Sequence, residues 1–213
     1  MTRSISGIRN DYQLRELNEA DLKKDPIEQF QLWLNEAIEA KVNEPTAMTL
    51  ATSTSDGKPS ARIVLLKKVN QTGFTFFTNY NSKKANQINS NPFAALVFFW
   101  AELERQVRIE GSVEKIPAGE SDAYFFSRPE GSKLGAWASP QSKKIQNRAY
   151  LENMVMKYQM QFGNNITRRP EYWGGYLLKP DIIEFWQGRT NRLHDRIEYS
   201  HLNGKWTLER LAP

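Results

Sequence analysis

Near the C-terminus, Arg192, His194 and Arg196 recur at every second position, just after the apolar run Ile183-Glu184-Phe185-Trp186-Gln187-Gly188. Side chains of an extended strand alternate faces. The spacing therefore predicts a row of three cationic or potentially cationic groups on one strand face, with Leu193 and Asp195 on the other. Such a row repels itself unless an anion lies against it, and these residue types suit a phosphorylated ligand. A lone Arg on a strand is usually a solvated surface group. Arg-x-His-x-Arg beside a Trp-bearing apolar strand is harder to account for in that way.

Four further clusters carry the same chemistry. Arg62 and Lys67 bound a strand-like segment, Arg62-Ile63-Val64-Leu65-Leu66-Lys67. They stand an odd number of residues apart, so an unbroken strand puts them on opposite faces, where they do not share one phosphate. They could equally mark the solvated ends of a core strand. Thr78-Asn79-Tyr80-Asn81-Ser82-Lys83-Lys84 joins a strand to a helix start, where free backbone N–H groups favour anions. Lys83 and Lys84 oppose the helix dipole there, a cost that an anionic partner would offset; a solvated basic helix start is an equal reading. Gln106 shares a predicted strand face with Glu104 and Arg108 and could meet a polar heterocycle or plain solvent. Tyr124, Arg128 and Ser132, at a helix end and in a Pro/Gly loop, could form a second phosphate clamp, and Gln141-Ser142 offers another donor pair.

These groups have to be positioned by regular elements. Residues 1–24 are polar with little periodicity and read as an arm or lid. Asp25-Pro26-Ile27-Glu28 is a helix start, and Phe30, Trp33, Leu34, Ala37 and Ile38 continue with helical spacing to about Val42. Strands are expected at 46–54, 61–69, 74–79, 94–101, 105–115, 175–178, 182–187, 193–200 and 205–209, and helices at 82–91, 117–127 and 143–162. There is no regular βαβ alternation, so an antiparallel barrel with peripheral helices fits best.

Composition excludes several chemistries. The 213 residues contain no Cys and two His, which removes disulfides, thiolate nucleophiles and His-rich or thiolate metal sites. No P-loop, G-x-S-x-G motif or glycosidase-like acid pair is present. The net charge of +5 is spread along the chain, which disfavours nucleic acid as partner. No apolar run approaches the roughly 20 residues needed to span a bilayer. The first residues lack the apolar core of a signal peptide, so a cytoplasmic location is the default expectation. A chain without a side-chain nucleophile is expected to leave hard chemistry to a bound cofactor.

Together the clusters resemble the pyridoxine (pyridoxamine) 5′-phosphate oxidase family, from about Ile8 to Pro213. The pieces that carry the resemblance are Ile183-Glu184-Phe185-Trp186-Gln187 with Arg192-Leu193-His194-Asp195-Arg196, then Arg62–Lys67, Phe125-Phe126-Ser127-Arg128-Pro129, Gly135-Ala136-Trp137 and the terminal Arg210-Leu211-Ala212-Pro213. The resemblance implies a mainly β protein with peripheral helices, an FMN-binding split β-barrel over residues 25–213 behind a mobile arm over 1–24. It implies a homodimer with FMN at the interface. The implied reaction oxidises pyridoxine 5′-phosphate or pyridoxamine 5′-phosphate to pyridoxal 5′-phosphate. Molecular oxygen is the electron acceptor and hydrogen peroxide the product.

The same resemblance implies FMN contacts from Arg62, Ile63, Val64, Leu65, Leu66, Lys67, Thr78, Lys84, Gln106, Gln141, Ser142, Trp186 and Arg196. Phe77 and Lys83 occupy two more such positions, where Tyr and Arg are the usual family residues; Lys83 keeps the charge but lacks the planar fork. The vitamin phosphate would be held by Lys67, Tyr124, Arg128 and Ser132. Arg192 and His194 would cover the pyridine ring as the catalytic pair, and Arg9 and Tyr12 would belong to the closing arm. Two phosphates, one from each ligand, would let Arg62 and Lys67 serve different anions. His194, between two arginines, is expected to be neutral. The rival readings are a split-barrel flavoprotein reduced by a nicotinamide, and a carrier of FMN or pyridoxal 5′-phosphate without turnover.

Overall fold

The structure, a computed structural model, describes Gly7, residues 11–163 and residues 165–213. The described chain is mainly β. Its strands are β1 (Ala47–Ser53), β2 (Pro59–Leu65), β3 (Lys68–Asn70), β4 (Gly73–Asn79), β5 (Phe93–Trp100), β6 (Arg105–Lys115), β7 (Trp173–Gln187), β8 (Asp195–Leu202) and β9 (Lys205–Leu211). Its α-helices are α1 (Pro26–Glu39), α2 (Lys83–Ser90), α3 (Ala118–Ser127), α4 (Glu130–Ala138) and α5 (Arg148–Phe162). Hydrogen-bonded strands follow the order β2-β1-β5-β6-β7-β4-β3, with β8 on β7 and β9 on β8. Among the described residues, no helix is long and apolar enough to cross a membrane. By compactness the chain divides into two units: residues up to Thr49 with 95–110 and 180–213, and residues 50–94 with 111–179.

In the first unit, α1 begins where its sequence says it should. The Asp25 carboxylate accepts from the backbone N–H of Ile27 at 2.7 Å and of Glu28 at 3.4 Å, and Pro26 sits at the first helical position. Pro26, Gln29, Phe30, Trp33 and Ala37 recur with helical period and are buried. Phe30 packs 5.0 Å from Phe98, and Trp33 meets Phe185 edge-on at 5.1 Å. Phe185 is fully buried and also meets Tyr199 at 5.6 Å. Phe185→Ala is therefore expected to cost about 3–5 kcal/mol of stability, read as a lowered denaturant midpoint. A loss below about 1 kcal/mol would show that this ring is not part of a close-packed core.

Strand β7 merges the two C-terminal strands expected at 175–178 and 182–187. It pairs antiparallel with β4 through Leu178 and with β8 from Ile182 onward. Pro180 falls between these two ladders. The strand expected over 193–200 begins only at Asp195. Thr190–Arg192 forms a short 3-10 turn with Asn191 and Arg192 in left-handed backbone, φ 56° and φ 61°. That turn ends the extended chain, so Arg192 and His194 lie off the strand and the three-residue row on one strand face does not form.

In the second unit, the strand expected over 61–69 is broken. β2 ends at Leu65, Leu66 turns into the core, and the N–H of Lys67 donates to Thr75 O at 2.9 Å before β3 starts. The face parity of Arg62 and Lys67 therefore no longer applies. The Pro/Gly loop expected around Ser132 is instead α4; Pro129, φ −56°, precedes it, and the glycines at 131 and 135 masked its helical signal. Helix α5 begins at Arg148, not at Lys143, because the Asn147 side chain caps it by accepting from Tyr150 N at 3.1 Å. Phe125, Ala136, Ile166 and Trp173 form the local core, with Phe77, Tyr124, Leu134, Trp137 and Phe162 packed on it.

Candidate active site

In the second unit, the turn between β2 and β3, the end of β4, and the junction of α3 with α4 converge on a cavity of about 480 Å³. Ile63, Val64, Leu65 and Lys67 come from β2 and its turn, and Phe77, Thr78 and Lys84 from β4 and α2. Tyr124, Arg128, Pro129 and Ser132 come from α3 and α4, completed by Gln141 and Trp173. Gly175 makes room for the Phe77 wall: a Cβ there would come within 2.4 Å of Ile116 Cδ1 and 2.9 Å of Phe77 Cε1. Phe77 then stacks on Tyr124 at 3.9 Å and on Trp173 at 5.5 Å. The result is a flat aromatic wall opposite aliphatic side chains.

Among the described residues, the cations of this region have no acidic partner within ion-pair distance. Lys84 is buried, and its Nζ donates to Thr78 Oγ1 at 3.1 Å and Gln141 Oε1 at 2.9 Å, both neutral. Burial first, and the neighbouring Arg62 second, bring its pKa down to about 8. Arg62 turns away from the cavity and donates to Leu50 O at 3.2 Å, Thr52 Oγ1 at 2.6 Å and Gln87 Oε1 at 3.4 Å. Burial also lowers the pKa of Arg62 and Arg128. The Arg128 guanidinium lies 4.6 Å from the centre of the Trp173 ring, and its buried Nη1 has no hydrogen-bond partner among the described residues. A buried guanidinium N–H without an acceptor is costly unless a ligand satisfies it. Desolvated cations beside an aromatic wall form a site suited to a planar ring bearing an anion.

The first unit holds the other expected residues. Trp186 and His194 pack with ring centres 4.6 Å apart, and Tyr12 meets them edge-on at 5.7 Å and 5.9 Å. His194 Nδ1 accepts from the backbone N–H of Arg189 at 3.1 Å, which leaves Nε2 to carry the proton of the neutral ring. Burial, then Arg192, lowers the His194 pKa, in keeping with a neutral imidazole. Glu184 holds Arg196 bidentately at 2.9 and 3.0 Å, which raises the Arg196 pKa. Arg192 is exposed, and its left-handed backbone is the kind of strain that collects at functional sites. Gln106 is half-buried on β6.

The cavity thus gathers Ile63, Val64, Leu65, Lys67, Phe77, Thr78, Lys84, Tyr124, Arg128, Ser132 and Gln141. Leu66 is in the core, and Arg62 lies behind the cavity wall. Lys83 and Ser142 line a separate 410 Å³ depression with Asn86 and Gln87. Arg9 lies outside the described residues. Trp173 was missed; its only sequence signal was a Trp directly before the Gly174-Gly175 pair. No group of three or more potential metal ligands occurs among the described residues.

Comparison with known proteins places the chain in a family. Residues 34–162 match the family described as pyridoxamine 5′-phosphate oxidase, and residues 173–213 that described as pyridoxine 5′-phosphate oxidase C-terminal dimerisation region. The pyridoxine/pyridoxamine 5′-phosphate oxidase of Cyanothece sp. (strain PCC 7425 / ATCC 29141) is 56% identical over 213 residues, covering 100% of both chains. PhzG from Burkholderia lata 383, solved in complex with tetrahydrophenazine-1-carboxylic acid, superposes with TM-score 0.89 and 28% identity over 96% of this chain and 100% of its own. A pyridoxamine 5′-phosphate oxidase-related, FMN binding protein from Nostoc punctiforme PCC 73102 shares the fold at TM-score 0.70 and 17% identity, over 90% of this chain and 100% of its own. The mainly β architecture with helices is that of the split-barrel proteins. With both family regions matched and a relative more than half identical along its whole length, the chain belongs to the pyridoxine/pyridoxamine 5′-phosphate oxidase family.

Proposed function

We propose that the protein is an FMN-dependent oxidase that converts pyridoxine 5′-phosphate and pyridoxamine 5′-phosphate to pyridoxal 5′-phosphate. Pyridoxine 5′-phosphate and O2 give pyridoxal 5′-phosphate and H2O2; the amine consumes one water in addition and releases ammonia. The observation that carries this reading is the cavity beside Arg128, where a buried guanidinium N–H without a partner, Lys67 and Ser132 surround space next to an aromatic wall. The cavity fits FMN as well, through the apolar Ile63–Leu65 side and the desolvated Lys84. FMN held there would supply the two-electron acceptor for a hydride from the 4′ carbon of the substrate and the route for those electrons to oxygen.

The chain's own residues bind, orient and protect. Lys67, Tyr124, Arg128 and Ser132 hold the substrate phosphate by charge-assisted hydrogen bonds. Lys84, with Arg62 behind it, Thr78 and Gln141, provides for the cofactor phosphate, and Ile63, Val64 and Leu65 exclude water from the ring. Arg192 orients the pyridine and stabilises negative charge that develops on it. His194, neutral and protonated at Nε2, offers a hydrogen bond to the reacting side of the ring. The accompanying homodimer, with FMN at its interface, is supported by the match to a dimerisation region and by exposed apolar side chains such as Ile63, Phe93 and Phe99. A cytoplasmic location goes with this reading.

Anaerobic addition of pyridoxine 5′-phosphate to the FMN-loaded protein is expected to bleach the flavin absorbance. Admitting air should restore it and produce a pyridoxal 5′-phosphate band. A flavin that stays oxidised with this substrate would refute the oxidase reading, and bleaching by a nicotinamide instead would favour a reductase.

Lys84 makes the cofactor site pH-sensitive. Its pKa is brought down to about 8, so its charge is present below pH 8 and lost as pH rises through that value. FMN affinity is therefore expected to fall by roughly tenfold between pH 7 and pH 9.5. Lys84→Met should be weak throughout and flatten that dependence. Fluorescence titration of apo-protein with FMN measures both, and an equally steep pH dependence in Lys84→Met would assign the effect elsewhere.

A further inference from the structure

We propose that Glu104 is a positioning residue that latches the N-terminal segment so that Tyr12 is held on His194, and that it thereby sets substrate affinity. The affinity half of this inference rests on the oxidase reading; the latch itself does not. Glu104 ends a 3-10 turn at Ala101–Leu103 and has left-handed backbone, φ 53° and ψ 39°. Glycine adopts that conformation freely and a residue with a Cβ does so at a cost, so a Glu there calls for a use of its side chain. The use is visible: one carboxylate oxygen, Oε2, accepts from the backbone N–H of Gln13 at 2.8 Å and of Leu14 at 3.0 Å.

The backbone of the same residue holds the other partner. Glu104 O accepts from Gly188 N at 2.8 Å and from Gln187 Nε2 at 3.1 Å. Glu104 thus joins the segment just after Tyr12 to the end of β7. Between those two bonds the Tyr12 ring lies flush on Gly188; a Cβ at 188 would fall 2.6 Å from Tyr12 Cγ. Tyr12 then reaches Trp186 and His194. Further along, Leu17 N donates to Asp195 Oδ2 at 3.1 Å, and Glu16 and Glu19 pair with Arg189 and Arg210, each at 2.7 Å. Those bonds tie down residues 16–19. The Glu104 carboxylate holds residues 13–14, and so the approach of Tyr12.

The test uses the full-length, FMN-loaded protein. Glu104→Gly removes the carboxylate without backbone strain, and Glu104→Gln keeps an acceptor oxygen at the same reach. In Glu104→Gly, limited trypsin digestion is expected to cut after Arg15 roughly tenfold faster than in the parent, because cleavage follows the population of the released segment. The KM for pyridoxine 5′-phosphate should rise by a similar factor while kcat stays within about twofold. Glu104→Gln should stay close to the parent in both readouts. Gly188→Ala, which leaves Glu104 intact and crowds Tyr12 instead, should raise the same KM; should Glu104→Gly fail to fold, Glu104→Asn, which tolerates left-handed backbone but is too short to reach the Gln13 and Leu14 N–H groups, decides the matter by the same two readouts. Unchanged cleavage in Glu104→Gly, or a Glu104→Gln variant as impaired as the glycine one, would overturn the latch. Faster cleavage with an unchanged KM would overturn its role in affinity. A parent enzyme that does not oxidise pyridoxine 5′-phosphate would remove the oxidase reading and leave the digestion to judge the latch alone.

Discussion

Arg192→Ala is expected to lower kcat for pyridoxine 5′-phosphate by about 10²–10³-fold, the scale of removing one preorganised charge-stabilising donor. FMN content, read from the flavin absorbance of the purified variant, should be unchanged. Arg192 is exposed at the end of a turn, in left-handed backbone next to Asn191, which is left-handed as well. Such a conformation persists only where its surroundings over-determine it. The neighbourhood does so: the turn sits between Arg189, whose N–H caps His194 Nδ1, and Asp195, which pairs with Arg189 at 3.2 Å and Arg210 at 2.7 Å. Arg192 is also the charge that helps keep His194 neutral. In Arg192→Ala the His194 pKa should therefore rise, and the acid limb of the pH–rate profile should move upward with it. Arg192→Lys restores charge without the planar fork and should recover only part of the rate. Near-normal turnover in Arg192→Ala would remove this residue from the chemistry.

Arg128→Ala is expected to raise the KM for pyridoxine 5′-phosphate by about 10²-fold, the cost of losing a buried charge-assisted partner. Its effect on stability should run the other way. The Arg128 charge is desolvated, with Nη1 unpartnered among the described residues and the pKa lowered by burial. Truncation removes that burden, so the melting temperature of the apo-variant should equal or exceed that of the parent. A structural arginine would do the opposite, losing stability along with affinity. Unphosphorylated pyridoxine, which lacks the group the clamp would hold, should be turned over equally by variant and parent. Lys67→Ala should shift the KM less, because Lys67 is exposed and its charge is already hydrated. An unchanged KM for the phosphorylated substrate in Arg128→Ala would refute the clamp.

Much of this molecule is legible in short-range signals. Asp25-Pro26 starts α1, Ser82 caps α2 by accepting from Ala85 N at 3.4 Å, and β6 buries every second residue from Arg105 to Val113. These features depend on residues at most a few positions apart, so a linear reading finds them. The residue types proposed for binding are equally legible: Lys67, Arg128, Arg192 and His194 stand out in the chain without any coordinates, and so does the family they resemble.

What only the tertiary structure decided depends on partners distant in sequence. The alternation of Arg192, His194 and Arg196 is real in the sequence, yet left-handed backbone at Asn191 and Arg192 ends the strand on which a shared face would depend. Arg196 is turned to Glu184, 12 residues away, and so is withdrawn from the repulsive row. The strand carrying Arg62 stops at Leu65 because Leu66 has a place in the core. Trp173 enters the cavity wall by stacking on Phe77, and Tyr12 reaches His194 through Glu104. Local propensity sets where the chain extends or coils. Burial and long-range pairing set which cations are neutralised inside the protein and which, like Arg128, keep a buried N–H without a partner among the described residues.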